Sequence, residues 1–82
     1  MTSSVTVRYF AGARAAAGVE TETREAGTLE ELVGQIVESH GKRLERVLTA
    51  CSFLVDGTQT RDRSLALQPG AVVDVLPPFA GG

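Results

Sequence analysis

The sequence has few of the residues from which most active sites are built. It contains one cysteine, Cys51, so no intrachain disulfide and no cysteine metal cluster is possible. It contains one histidine, His40, and no tryptophan. Aromatics make up 5% of the chain, as Tyr9, Phe10, Phe53 and Phe79, so the core must be built from Val, Leu, Ile and Ala. No basic run exceeds Lys42-Arg43, the formal charge is −2 and the pI is near 5.2. A domain that reads nucleic acid through its phosphates carries a basic face, which argues against that class. No apolar run approaches the length of a membrane span, and Met1-Thr2-Ser3-Ser4 has no charged and apolar leader pattern. A cytoplasmic protein is expected, without nucleic acid or membrane among its partners.

What is present describes one small domain. At 82 residues, with 43% apolar and 22% charged residues, the chain has an ordinary soluble composition. A chain this short buries roughly 60% of its unfolded surface. Val5-Thr6-Val7-Arg8-Tyr9-Phe10 alternates and is β-rich, which predicts a strand with Val5, Val7 and Tyr9 on one face. Ala11 to Ala17 predicts a short helix closed by Gly18. Val19 to Arg24 predicts a polar edge strand, on which Glu20 and Glu22 are expected to be solvated. Thr28 and Glu31 are spaced as a capping box, followed by Leu29, Leu32, Val33, Ile36 and Val37 on one helical stripe. Gly41 ends that helix, and residues 42–50 continue helically with Leu44, Val47 and Leu48 inward.

The remainder predicts strands. Cys51 to Val55 and Thr58 to Thr60 flank Asp56-Gly57, a strong hairpin turn. Leu65 and Leu67 are expected to anchor a loop with one helical turn. Pro69-Gly70 is a turn, and Val72 to Leu76 is the final strand. Proline cannot donate to a ladder, so Pro77-Pro78 ends it. Several strands and one strong amphipathic helix predict an α+β fold, a mixed sheet with the helix across one face.

No catalytic constellation appears within the domain. His40 stands at a helix end and is expected to interact with the last carbonyls there. Cys51 reads as a small core residue, with no basic cluster nearby to lower its pKa. Paired glutamates do acid–base work only in a pocket that shifts their pKa values. The strand–glycine loop–lysine pattern of a phosphate cradle is absent.

The last six residues point elsewhere. Pro77-Pro78 stiffens the exit from the strand. Phe79 is a large apolar residue outside any strand, and Ala80-Gly81-Gly82 follows. At ~3.3 Å per residue this stretch reaches about 20 Å, enough to enter a partner's site. Glycine lacks a Cβ, so its carbonyl is open to attack once the carboxylate has been activated.

Two motifs carry a resemblance. Val7-Arg8-Tyr9-Phe10-Ala11-Gly12-Ala13-Arg14 with Gly18, and Leu76-Pro77-Pro78-Phe79-Ala80-Gly81-Gly82, resemble the ubiquitin-like β-grasp proteins of the MoaD/ThiS group. The likeness is stronger to its MoaD branch, the sulfur-carrying small subunits of molybdopterin synthase. It extends through Thr28 to Leu32 and Gln68 to Val73.

The resemblance implies a β-grasp domain over residues 1–76 and an extended, flexible tail over 77–82. It implies that Gly82 is adenylated, then converted to a thiocarboxylate that supplies sulfur for the molybdopterin dithiolene from cyclic pyranopterin monophosphate. The chain would hold no cofactor; ATP would be used by the activating partner. Partners would be a MoaE-like large subunit in a heterotetramer, an E1-like adenylating enzyme and a sulfur donor. The active site would lie on the large subunit, so the chain would be non-catalytic alone. Pro77, Pro78, Phe79, Ala80 and Gly81 would enter the partner, and Phe10, Arg14 and Leu76 would meet its surface. Phe79 departs from the family's usual Val or Ile. A carrier for thiamin, cysteine or tRNA thiolation, a ubiquitin-like modifier, and an interaction module with an inert tail remain open. Pro77-Pro78 favours the MoaD branch over ThiS-like chains.

Overall fold

The computed structural model describes residues 3–78. Its elements are β1 (Ser3–Tyr9), α1 (Ala11–Ala17), β2 (Thr21–Ala26), α2 (Leu29–His40), α3 (Lys42–Leu48), β3 (Ser52–Val55), β4 (Thr58–Thr60) and β5 (Val72–Leu76). The strands form one five-stranded sheet in the order β2-β1-β5-β3-β4. β1 and β5 are parallel neighbours, with Val7 opposite Val73 and Tyr9 opposite Val75. The other pairings are antiparallel. With the helices on one face, this is the mixed-sheet α+β arrangement expected, with the β-grasp adjacency of first and last strands.

Strand alternation makes the core. Val5, Val7 and Tyr9 of β1 and Val73 and Val75 of β5 are all buried, meeting Leu29, Leu32 and Ile36 of α2. Val33 is also buried, while Val37 packs partly against the core. Leu44 and Leu48 of α3 and Phe53 of β3 complete it.

The turns follow local chemistry. Gly18 closes α1 at φ 78, and its N–H bonds the Arg14 carbonyl at 2.9 Å. Asp56 and Gly57 have φ of 50 and 85, the left-handed pair that a two-residue hairpin needs. At α2, Thr28 Oγ1 accepts from the Glu31 N–H at 3.2 Å. The Glu31 carboxylate reaches back one residue further than in the usual capping box, to the Gly27 N–H at 2.9 Å.

Gly41 ends α2 at φ 90, as expected, and the helical stretch after it stops at Leu48 rather than Ala50. Two further elements differ from expectation. The edge strand begins at Thr21, two residues later than Val19, and Val19 is exposed. Leu67 is buried as expected, but its loop holds a turn and an isolated bridge from Thr28 to Ala66 rather than a helical turn. Asp62 closes that turn by accepting from the Ser64 N–H and hydroxyl, an Asx-type bond that competes with helix formation. Of the expected tail, Pro77 and Pro78 are described; Phe79, Ala80, Gly81 and Gly82 lie outside the described residues. No helix of the described residues is long and apolar enough to cross a membrane.

Candidate functional site at the exit of the last strand

β5 lies between β1 and β3, hydrogen-bonded on both sides, so its end is held firmly. Leu76, opposite Ser52 of β3, is the last residue of the ladder. Pro77 follows half-buried and Pro78 exposed. Without N–H groups, neither can extend the pairing. The chain therefore leaves the sheet from a rigid base.

The sheet has a second face, away from the helices. Alternation places Thr6 and Arg8 of β1 and Val72, Asp74 and Leu76 of β5 there. The register adds Ser52 and Leu54 of β3. Phe10 follows β1 directly, donates its N–H to the Val75 carbonyl at 3.3 Å, and is 37% exposed. Its ring lies by the Arg8 guanidinium of this face, so two of the three expected contact residues, Phe10 and Leu76, are found here. Arg14, the third, is exposed on α1, and among the described residues its side chain makes no hydrogen bond or ion pair.

The backbone at the edge of this face is strained. Ala11, which turns the chain from β1 into α1, has φ 48, a left-handed conformation disfavoured by its Cβ. That turn directs the chain immediately after Phe10.

An ion pair at the centre of the face was not foreseen. Arg8 Nε and Nη2 donate to Asp74 Oδ1 and Oδ2 at 2.5 and 2.8 Å. The hydrogen bonds and charge of Asp74 hold the guanidinium pKa above its ordinary value. A single acid within Val72-Val73-Asp74-Val75-Leu76 was the available sign, but only the register supplies its partner.

A second polar cluster sits on the helix side. Val7 is opposite Glu22, which therefore points inward. Glu22 Oε2 accepts from the Tyr9 hydroxyl at 2.6 Å and meets His40 Nε2 at 2.5 Å, and Arg24 Nε donates to Oε1 at 2.6 Å. Burial pushes the Glu22 carboxyl up, but bonds from Tyr9, His40 and Arg24 outweigh it and the net shift is downward. Burial and then Glu22 hold the Tyr9 phenol far above its ordinary value. Thus His40 bridges α2 to β2 rather than serving the last helical carbonyls, and Glu22 is not solvated. The reason is tertiary, since the end of α2 lies over the inner side of the edge strand. The Tyr9 and His40 rings meet edge to face at 6.0 Å.

Cys51 is buried, donates its thiol to the Val47 carbonyl at 3.1 Å and has its pKa raised by burial. It behaves as a core residue. Among the described residues no group of three or more His, Cys, Asp or Glu is placed to hold a metal. A hollow of about 340 Å³ lies between α2 and α3, lined by Val33, Val37, Leu48 and Arg63 among others.

Taken together, the β-grasp sheet, the open apolar face and the Pro-Pro exit define the ubiquitin-like class of domain. Residues 7–82 match the ThiS family, and the chain belongs to it. It is 35% identical, over 95% of its length and 98% of the relative's, to the molybdopterin synthase sulfur carrier subunit of Chlamydomonas reinhardtii. The fold is similar to small archaeal modifier protein 1 from Methanosarcina acetivorans, with TM-score 0.87 and 19% identity, covering 100% of this chain and 99% of that one. It is also similar to a chain in the protein–protein complex of subunits 1 and 2 of the molybdopterin-converting factor from Helicobacter pylori 26695. That similarity has TM-score 0.73 and 26% identity, covering 96% of this chain and 99% of the other.

Proposed function

We propose that this protein is the sulfur-carrying small subunit of a molybdopterin synthase, and that its reacting group is the carboxylate of Gly82. The observation that carries this reading is the near full-length identity of 35% to a sulfur carrier subunit of that synthase. The Leu76-Pro77-Pro78 exit from the central strand supports it.

A carboxylate is a poor electrophile. An E1-like enzyme joins it to AMP from ATP, with release of pyrophosphate. A sulfur nucleophile then attacks the carbonyl, AMP departs, and a thiocarboxylate remains. In the synthase this sulfur attacks a carbon of the pterin precursor, cyclic pyranopterin monophosphate, and displaces an oxygen there. Water then cleaves the resulting thioester, leaving the sulfur on the pterin and the carrier as its carboxylate. The carrier contributes a carbonyl free of steric hindrance, because Gly81 and Gly82 have no Cβ. Pro77, Pro78, Phe79, Ala80 and Gly81 form the segment that enters the large subunit. Phe10 and Leu76 form the apolar surface that meets it, with Arg14 at its margin. The pterin pocket belongs to the large subunit, and two carriers flank a large-subunit dimer.

The test is the intact mass of the protein after incubation with an E1-like adenylating enzyme, ATP and sulfide. The expected gain equals the difference between sulfur and oxygen. Gly82→Ala should slow it by about tenfold or more, from an added barrier of roughly 1.4 kcal/mol. No gain, with a control carrier active in the same mixture, would overturn the carrier reading. Isopeptide-linked products instead would favour a protein modifier.

A further inference from the structure

The centre of the open face is unlike its surroundings. Phe10, Leu54 and Leu76 are apolar, yet between them lie Arg8 and Asp74. Asp74 is almost buried, at 7% exposure, and both its oxygens are taken by the Arg8 fork. The Arg8 side chain is 49% exposed, and its Cζ lies 5.9 Å from the centre of the Phe10 ring. The ring flanks the guanidinium on one side, and Asp74 fixes its plane.

A guanidinium has five N–H groups. The fork uses two, and the remaining three lie on a half-exposed group, where water can serve them. A partner that takes up Gly82 must approach along Pro77 and cover Leu76, and therefore reaches Arg8. Its chemistry at that point is constrained. A wholly apolar surface would strip the free N–H groups of water and give nothing in return. A basic group would be repelled by the outward guanidinium. A carboxylate on the free N–H groups would bring a second negative charge beside the nearly buried Asp74, and like charges so close repel. Neutral carbonyl oxygens satisfy the donors and leave the fork intact.

We propose that Arg8, held by Asp74, is a specificity-determining residue of this face, and that it selects a partner surface presenting main-chain carbonyl oxygens within an apolar surround. The inference rests on the reading above, in which that partner is the large synthase subunit.

The test is calorimetric titration of the full-length chain with the large subunit of molybdopterin synthase from the same organism. The double variant Arg8→Leu/Asp74→Val removes both charges and leaves neither unpaired. It should unfold cooperatively at or above the parent temperature, since apolar replacement of such a pair is often neutral or stabilising. It should nevertheless bind at least about tenfold more weakly. Arg8→Lys, which keeps the charge and loses the planar fork, should bind several-fold more weakly. Parent affinity should change little with ionic strength. A folded double variant that binds as tightly as the parent would overturn the inference alone. If that variant does not fold, Arg8→Lys with parent affinity would overturn it. A steep loss of parent affinity with salt would overturn the choice of neutral acceptors. A parent that fails to bind the large subunit at all would remove the synthase reading and this inference with it.

Discussion

The two faces of this sheet are built from alternate residues of the same strands, yet different forces hold them. On the helix side, Val5, Val7, Val73 and Val75 are buried against Leu32 and Ile36. The charges admitted at its edge, Glu22 and Arg24, are paired with each other, and Glu22 also bonds Tyr9 and His40. On the open side, Phe10 is exposed and Arg8 stands half in water, paired with a nearly buried Asp74. Burial of apolar area drives the first face, at roughly 25 cal/mol per Å². The second gains little on folding, and its apolar residues stay available to a partner. A chain of 82 residues has a thin core, so leaving one sheet face uncovered is costly for stability. That cost suits a face used for binding.

The sharpest break of this comparison is a pair of truncations. Ile36→Ala, in the covered face, should destabilise by about 2–5 kcal/mol. Phe10→Ser, on the open face, should change stability by no more than about 0.5 kcal/mol while weakening binding to the large subunit. Denaturant midpoints and calorimetry on both variants check this. Equal losses of stability would mean that the open face is part of the core.

The polar cluster gives a smaller effect. Glu22→Gln removes the charge that Arg24 and His40 share and should cost about 1–3 kcal/mol. The pH dependence has a definite sign. The folded carboxyl lies below its ordinary value, so acidification favours the unfolded state, which takes up the proton more readily. The contribution is complete above the ordinary glutamate range and is lost as pH falls through the lowered folded value. Melting temperature against pH should therefore fall less steeply on the acid side in Glu22→Gln than in the parent. Parallel curves would show that Glu22 contributes nothing through its charge.

The smallest effect tests the bend after Phe10. Ala11→Gly relieves a left-handed backbone and should stabilise by up to about 1 kcal/mol, measured by thermal unfolding. A loss of stability would mean that the Ala11 side chain is worth more than the strain.

Much of the fold was legible because it is local. The alternation of β1, the Thr28 cap, the stripe of α2 and the Asp56-Gly57 turn each follow from near neighbours in sequence. Cys51 as a core residue was legible too, from residue type alone. The role proposed for Gly82 rests on residue type and resemblance, and that residue lies outside the described residues. The His40 partner was not legible, because Glu22 is eighteen residues away. Nor was the Arg8–Asp74 pair, whose members are sixty-six residues apart and meet only because β1 and β5 are parallel neighbours.

The sequence by itself determined which residues could turn, cap, alternate and end a strand, since those preferences act over a few bonds. It also supplies the Gly81-Gly82 ending on which the proposed chemistry rests, since the lack of a Cβ belongs to the residue type itself. Tertiary structure alone decided which strands would be neighbours and which charges would meet across them. Register is a property of pairs of segments, and a one-residue slip would move every side chain to the other face.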